Sequence, residues 1–225
     1  MASCLWYSQE MNIHALEKPA PQKPDTTQPD DPSRESPVAE GAPQGVGQVA
    51  QTLFRSRIVT IFGEVTDKLA REAVNQLLAL GALGDDPIRV FINSPGGHVE
   101  SGDSIHDMLR FVAAPVQIIG TGWVASAGVL IYLGAKKGNR FALPNTRFML
   151  HQPIGAFRGQ ASDALIHANE VRKMRERLNS IIARETGQPI ERVRKDTDRD
   201  YWLTAEEAKE YGIVDHIVGD IREIK

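Results

Sequence analysis

The sequence predicts an α/β fold in which repeated strand–helix units build a largely parallel sheet. Short apolar runs, typical of buried strands, alternate along the chain with longer segments whose apolar residues recur at helical spacing. Glycine, proline and asparagine mark the boundaries between these segments. This alternation is typical of parallel sheets covered by helices, which bind ligands at the carboxyl ends of their strands.

The first strand–helix unit begins with the apolar run at residues 57–62. Thr66 then offers a side-chain oxygen that can cap a helix, and apolar pairs repeat at helical spacing after it. We expect this helix to end at Gly81, because glycine commonly follows the last turn of a helix.

The next two units repeat this order. Residues 88–92 form a buried strand, which a glycine-rich turn joins to a helix over residues 101–112. Residues 116–120 form a third strand, which leads through a turn at Gly122 into a helix that holds Ser126.

The second half of the chain carries shorter strands and one long helix. The predicted elements are strands at 140–143 and 147–150, a long charged helix at about 162–185, helices near 189–195 and 204–211, and a final strand at 213–218. Thr204 and Glu207 have the spacing of a capping box, which places the start of the last helix.

Residues 1–50 differ in composition from the rest of the chain. Seven of the 13 prolines lie there, and few large apolar residues follow Leu16. Such a segment buries too little apolar surface to offset the entropy of ordering it. We therefore predict a disordered, proline-rich extension at 1–50 and one folded domain at 51–225.

Charge and cysteine content exclude several classes of protein. The net charge is −3, and residues 1–50 carry seven acidic and three basic side chains, which leaves the folded region with 22 acids and 23 bases. This balance does not provide the basic face that nucleic-acid binding needs. Cys4 is the single cysteine, so the fold does not depend on an internal disulfide, and we expect a cytoplasmic protein.

One uncharged stretch is long enough to cross a bilayer. Residues 116–135 contain no charged side chain. However, Gly120-Thr121-Gly122 interrupts the stretch and Ser126 adds a polar group. A buried strand followed by a buried helix explains it better than a membrane span.

The same stretch matches a dinucleotide-binding fingerprint. Residues 120–125 read G-x-G-x-x-A between a predicted strand and a helix. That fingerprint also needs an acidic residue about twenty positions later to bind the ribose. Because no Asp or Glu occurs between Met108 and Ser162, we predict no dinucleotide. We expect no other cofactor either.

Ser126 and His151 are candidates for nucleophilic catalysis. Ser126 lies at a predicted strand-to-helix turn between Ala125 and Ala127, where a hydroxyl can be accessible, as in a nucleophile elbow. The same pattern also suits a serine that is merely small enough to pack. His151 follows a predicted strand, a position where a side chain can face a cleft. The histidines lack metal-ligand spacing with cysteines or carboxylates, so we predict no metal.

A turn with two glycines follows the second strand. Gly96 and Gly97 end the run Ser94-Pro95-Gly96-Gly97, and their N–H groups could approach a ligand closely. An oxyanion hole requires such donors, although a plain tight turn has the same sequence.

Together these motifs resemble the proteolytic subunits of Clp proteases. The matching runs are residues 91–97 (FINSPGG), 125–128 (ASAG), 147–153 (RFMLHQP) and 196–200 (DTDRD), in that order. The spacings also agree, with 25 residues from Ser126 to His151 and 49 from His151 to Asp200. The resemblance covers about residues 53–218. It implies a crotonase-like fold and an ATP-dependent serine endopeptidase that cuts unfolded polypeptides.

The resemblance implies a role for each matching residue. Ser126 would be the nucleophile, His151 the general base and Asp200 the group that orients the imidazole. The backbone N–H groups of Gly97 and Ala127 would bind the oxyanion. The remaining implied roles are substrate binding by Gly96, Ile154 and Gly155 and oligomer contact by Asp198 and Arg199.

The resemblance also implies an assembly. Family members form two stacked seven-membered rings that an AAA+ Clp ATPase feeds, and the long protruding helix from Ser162 resembles their ring-to-ring contact. Two positions in the strand before the turn, where the family places tyrosines that receive the ATPase, are Arg89 and Phe91. The segment before Leu53 also lacks the family's tyrosine-containing axial sequence, and Ala127 replaces the usual methionine. We therefore expect either a homo-oligomer or a mixed ring with a second proteolytic subunit.

Three rival functions follow from the same residues. A regulatory or structural ring subunit would need a paralogous subunit for activity. An acyl-CoA hydratase-type enzyme of the same fold would use the glycine-rich turn without a Ser–His–Asp set. A Ser–Lys peptidase would use Lys136 or Lys137, which lie in a glycine-flanked loop that is expected to be solvated.

Overall fold

The computed structural model describes residues 44–154 and 160–224 and confirms the predicted α/β class. In this part of the chain the strands are β1 (Ile58–Phe62), β2 (Ile88–Ser94), β3 (Val116–Ala125), β4 (Arg140–Ala142), β5 (Arg147–Leu150), β6 (Tyr201–Leu203) and β7 (His216–Ile217). The helices are α1 (Gln44–Arg55), α2 (Asp67–Leu83), α3 (Val99–Phe111), α4 (Ala127–Tyr132), α5 (Ala164–Thr186), α6 (Ile190–Asp196) and α7 (Ala205–Tyr211). Residues Ala161–Asp163 and Ile221–Glu223 form single 3₁₀ turns.

A branched sheet organises the domain. Strands β1, β2, β3, β4 and β7 lie side by side in that order and are all parallel. The long strand β3 pairs with β4 through its first half and with β5 through its last three residues. Strand β6 runs antiparallel to β5. The carboxyl ends of β3 and β5 and the beginning of β6 therefore meet at one edge.

Helices cover one face of the sheet and form the core with it. In β2 every second residue from Ile88 to Ser94 is buried, as expected when one face of a strand packs on helices. Helix α2 buries Ala70, Ala73, Leu77 and Leu80, which recur at helical spacing. The helices α3 and α4 complete this layer and pack against each other.

Helix α5 is only partly packed. Its buried residues, Asn179, Ile182 and Thr186, all lie in its second half. Near its beginning Leu165 and Ile166 expose large apolar side chains. The first half of the helix thus extends away from the core, as predicted for a protruding helix.

Several element boundaries differ from the sequence predictions. Residues 44–50 belong to helix α1 rather than to a disordered extension, and residues 1–43 lie outside the described residues. Helix α2 continues past Gly81, whose missing side chain lets Val112 approach, and ends before Gly84 at φ 148°. The third strand does not stop at Gly120. It continues to Ala125, and the irregular pairing with β2 absorbs Gly122 at φ 61°.

A further difference is a missed strand. Residues Tyr201–Leu203 were not predicted to be a strand, because three residues are too few to show a period. By contrast the capping box of α7 is confirmed: Glu207 N–H donates to Thr204 Oγ1 and Thr204 N–H donates to Glu207 Oε2. Among the residues that the structure describes, no helix is both long and apolar enough to cross a membrane.

Candidate active site

Ser126 occupies a strained turn between β3 and α4. Its backbone lies at φ 55° and ψ −123°, which a residue with a side chain rarely adopts and which costs about 1–3 kcal/mol. Two hydrogen bonds hold it there: Ser126 N–H donates to Met149 C=O at 2.9 Å, and Val129 N–H donates to Ser126 C=O at 2.9 Å. The turn directs the hydroxyl out of the sheet, as a nucleophile elbow does.

Small residues around this turn allow its close packing. A Cβ atom on Gly96 would lie 2.6 Å from Ser126 Cβ, and one on Gly102 would lie 3.3 Å from Ala127 Cβ. A Cβ atom on Gly128 would lie 3.3 Å from the carbonyl oxygen of Ser94. The turn is therefore wedged between the end of β2 and the face of α3, which requires the tiny side chains of residues 125–128.

His151 and Asp200 complete a hydrogen-bonded chain with Ser126. His151 Nε2 lies 2.8 Å from Ser126 Oγ, and His151 Nδ1 lies 3.1 Å from Asp200 Oδ1. Because a carboxylate only accepts, the Nδ1 atom donates to Asp200, which leaves Nε2 to accept the serine proton. His151 follows β5 and Asp200 precedes β6, so the sheet edge itself brings the three residues together.

His151 and Asp200 differ in how far their side chains are exposed to solvent. The His151 side chain is 19% exposed, whereas the Asp200 side chain is 64% exposed. Water therefore screens the His151–Asp200 contact in a single chain, and covering this surface would strengthen it.

A second contact set holds the loop before Asp200. Gln152 Nε2 donates to the Asp198 carbonyl oxygen at 2.9 Å, and Arg175 Nη2 on α5 donates to Asp198 Oδ1 at 3.1 Å. Arg199 Nη1 lies 3.0 Å from Asp198 Oδ2. Sequence reasoning did not assign Gln152 or Arg175. Adjacency to His151 could have indicated Gln152, but nothing in the sequence links Arg175 to residue 198.

The Gly96–Gly97 turn lies next to Ser126. Gly96 N–H donates to Ser94 Oγ at 3.1 Å, so this amide already has a partner. Gly97 pairs with Val65 as in a parallel sheet: Val65 N–H donates to Gly96 C=O and His98 N–H donates to Val65 C=O, both at 2.8 Å. In such pairing the central residue directs its own N–H to the opposite side.

Ala127 offers the second candidate amide. It is the first residue of α4, where helix geometry supplies no acceptor for the N–H. A Cβ atom on Gly96 would lie 3.1 Å from the Ala127 nitrogen, so the glycine turn and the start of α4 are in contact. The glycine turn and the start of α4, which carry the sequence-predicted donors Gly97 and Ala127, are therefore adjacent next to Ser126.

An apolar pocket opens beside the serine. Its volume is about 30 Å³, and Ser126 and His151 form one side of it. The remaining lining includes Val99, Leu130, Leu150, Pro153, Leu178 and Ile182. Such a pocket accepts a small apolar group next to the reacting atoms. Ile154, which follows Pro153 in the chain, is highly exposed, and Gly155 lies outside the described residues.

Two rival chemistries lack the geometry they need. The glycines of the dinucleotide fingerprint lie within β3, where a Cβ atom on Gly120 would lie 3.3 Å from the Phe148 ring. Lys136 and Lys137 are exposed, and the partner of the Ser126 hydroxyl is His151. Within residues 44–154 and 160–224, no three His, Cys, Asp or Glu side chains are grouped to bind a metal.

Comparisons with known proteins show which family this chain resembles. The sequence model of the family described as Clp protease matches residues 42–220. The ATP-dependent Clp protease proteolytic subunit 3 of Rhizobium meliloti is 62% identical over 172 residues, which is 76% of this chain and 88% of that protein. The proteolytic subunit 2 of Gluconobacter oxydans is 52% identical over 211 residues, 93% of this chain and 91% of that protein.

A solved structure is similar as well. ClpP1 from Listeria monocytogenes superposes with a TM-score of 0.71 at 50% sequence identity. The similarity covers 79% of this chain and 99% of the Listeria chain.

Proposed function

The chain belongs to the Clp protease family, and on that premise we propose that it is an ATP-dependent Clp protease proteolytic subunit and a serine endopeptidase with Ser126 as nucleophile. The observation that carries the proposal is the hydrogen-bonded chain from Ser126 through His151 to Asp200 at a strained turn. The identities above, between 50% and 62%, support the same activity. The paired histidine favours this mechanism over a Ser–Lys peptidase.

The residues divide the reaction between them. Ser126 Oγ attacks the peptide carbonyl while His151 Nε2 takes its proton, and the imidazolium then protonates the leaving amine. Asp200 orients the imidazole and stabilises its charge. The N–H groups of Gly97 and Ala127 stabilise the oxyanion. Water then releases the acyl group with His151 again as base.

The substrates and the assembly form part of the proposal. Unfolded polypeptides would be delivered by an AAA+ Clp ATPase into a chamber of two stacked heptamers. Extended chains would bind beside Gly96 and the segment that begins with Ile154 and Gly155, mainly through backbone contacts. The relatives' names number their subunits, which supports a mixed ring as well as a homo-oligomer.

Active-site labelling tests the nucleophile directly. The purified chain should cleave fluorogenic peptides and react with a fluorophosphonate probe. Trypsin would release residues 111–136 as one peptide, in which Ser126 is the single serine. Mass spectrometry should find the probe on that peptide. Hydrolysis with no label on residues 111–136 would contradict the proposed mechanism.

We expect Arg199→Ala to lower peptidase activity and the fraction of double rings together. Arg199 is 85% exposed and contacts Asp198, two residues before the catalytic Asp200, which is itself accessible. A neighbouring ring that bound Arg199 would cover Asp200 and strengthen its contact with His151. We expect a loss of about fivefold in kcat, in proportion to the loss of double rings measured by native mass spectrometry.

Arg222→Ala is the matched control for this substitution. Arg222 is 86% exposed and pairs with a neighbouring aspartate, Asp220, at 2.5 Å, on a separate surface turn. It should change neither assembly nor activity. An Arg199→Ala protein that is fully active as a single ring would show that ring contact and catalysis are independent.

Arg89 should weaken docking of ATPases that bind through apolar loops. Arg89 and Phe91 are half-buried on the outer face of β2, and Phe62 is exposed on the same face of β1, opposite Asn93. Arg89 Nε contacts Gln117 Oε1 at 3.4 Å, which holds the guanidinium at this apolar surface. Covering it would cost about 1–2 kcal/mol per site when the charge stays near solvent, and several sites around a ring multiply the loss.

Arg89→Tyr should therefore raise ATP-dependent degradation of a folded, tagged substrate by at least about tenfold. Cleavage of short peptides without ATP is the internal control and should not change. Adding a second proteolytic subunit to the unmodified chain should also raise degradation. Rapid degradation by the unmodified homo-oligomer, unaffected by Arg89→Tyr, would contradict the docking argument.

A further inference from the structure

A second cluster of serine, histidine and aspartate lies behind the Gly96–Gly97 turn. Ser101 Oγ donates to Asp67 Oδ1 at 2.5 Å and lies 2.8 Å from His98 Nδ1. His98 Nδ1 is 3.2 Å from Asp67 Oδ1, and His98 Nε2 is 3.2 Å from Glu100 Oε2. Ser101 is 4% exposed and its proton is directed to Asp67, so this cluster is not a second nucleophilic site.

The cluster fastens the glycine turn to two helices. His98 follows Gly97 directly, and its backbone N–H is bound to Val65. Asp67 is the first residue of α2, and Ser101 lies in the first turn of α3. The His98 side chain therefore ties the end of the turn to the beginnings of both helices, while its backbone ties the turn to the strand-like segment at Val65.

The turn needs such fastening because of its own sequence. Gly96 and Gly97 lie at φ 95° and φ 145°. Glycine adopts many other backbone conformations at little cost, so the sequence of the turn does not by itself fix its shape. An oxyanion donor is effective only when its position is set before the reaction begins. Contacts on the residue that follows Gly97 can supply the rigidity that two glycines lack.

Asp67 is suited to act as a fixed anchor. The hydrogen bond from Ser101 and, after it, the charge of His98 lower the pKa of the Asp67 carboxyl. Asp67 therefore stays ionised at neutral pH and retains the acceptor that Ser101 needs.

We propose that Ser101, together with Asp67 and His98, is a positioning set for the Gly97 N–H in the oxyanion hole. The inference rests on the proposed peptidase function and adds to it a second group of residues, behind the turn, on which the rate depends. These side chains do not touch the reacting atoms. They act through the position of one backbone amide.

Ser101→Ala removes the bridging hydroxyl and little else. We expect kcat for a fluorogenic peptide to fall about tenfold with KM within twofold of wild type, because the donor acts mainly in the transition state. Affinity for a peptide aldehyde, whose adduct with Ser126 places an oxyanion in the hole, should fall by the same factor. A purely structural role would not separate kcat from KM in this way.

Ser104→Ala is the matched control. Ser104 lies three residues further along α3, and its hydroxyl donates only to its own helix at the Glu100 carbonyl. It should leave kcat, KM and aldehyde affinity unchanged. Unchanged kcat in Ser101→Ala, or a higher KM with unchanged kcat, would overturn the positioning role.

Variants of Asp67 provide a second test of the positioning role if Ser101→Ala disturbs assembly. The Asp67 side chain is largely exposed, so Asp67→Ala leaves the core intact. It should lower kcat as Ser101→Ala does, and Asp67→Asn, which keeps an acceptor oxygen, should restore most of the loss. Equal kcat in both Asp67 variants would overturn the proposal. Fluorophosphonate labelling of Ser126 in the wild-type protein tests the peptidase function separately from the positioning role. A wild-type protein that is not labelled would contradict the proposed function itself.

Discussion

Replacing Ser126 with alanine is expected to reduce peptide hydrolysis by about 10⁴-fold or more, and to abolish labelling by fluorophosphonate or β-lactone probes. The hydroxyl is the atom that attacks, and His151 then has no proton to accept. The fold should survive, because the backbone hydrogen bonds to Met149 and Val129, rather than the hydroxyl, hold the strained turn. Initial rates, probe labelling and native mass spectrometry on the same preparations would measure all three outcomes.

A serine elsewhere on the surface controls for the preparation. Ser180 lies on α5 and its hydroxyl donates to the Glu176 carbonyl oxygen of the same helix. Ser180→Ala should retain full activity and labelling. Labelling that persists in Ser126→Ala would place the nucleophile on another residue.

Replacing Gly96 with alanine should lower kcat by about 10²- to 10³-fold while leaving the chain folded. The added Cβ atom would lie 2.6 Å from Ser126 Cβ and 2.8 Å from the Ala125 carbonyl oxygen. Both distances are shorter than any ordinary contact, so either the serine turn or the glycine turn must move. A shift in either turn separates the nucleophile from the candidate oxyanion donors. Single-turnover rates would report the loss apart from substrate binding.

Gly138→Ala is the control that separates the cost of backbone strain from the steric part of this effect. Gly138 has nearly the same φ, 94° against 95° for Gly96, but a Cβ atom there meets nothing within 4 Å. Both variants place alanine at a positive φ, which costs about 1 kcal/mol of stability in each. Gly138→Ala should lower the melting temperature slightly and leave kcat unchanged. Equal losses of kcat in the two variants would show that strain alone, and not the contact with Ser126, explains the effect.

The local sequence correctly predicted the elements whose signals are local. The periodicity of β2 and α2 and the capping box of Thr204 and Glu207 depend on neighbouring residues, and the structure confirms them. Helix α1 was missed because the proline-rich composition before it extended the predicted disorder to residue 50. The strand β6 was missed because its three residues take their conformation from β5, a partner about fifty residues away.

The active site shows the same division. Residue types and their order, read through a family resemblance, indicated Ser126, His151 and Asp200, whereas local patterns alone also allowed Ser126 to be a packing residue. The positive φ of Ser126 and its hydrogen bond to His151 come from the branching of β3 toward β5. The branching depends on how β3 pairs with β4 and β5, and a short stretch of sequence carries no signal of that pairing.

The sequence by itself determined the α/β order, the N-terminal caps at Thr66 and Thr204 and the identity of the chemical groups, because each depends on residues within a few positions of one another. Only the tertiary structure decided that β3 runs on to Ala125, that Arg175 and Gln152 hold the loop before Asp200, and that Ser101 links Asp67 to His98. These contacts join residues that are mostly tens of positions apart. These contacts stabilise the protein only once the sheet and helices are assembled. The assembled fold already holds the groups near one another, so the contacts no longer have to offset the entropy of closing long loops.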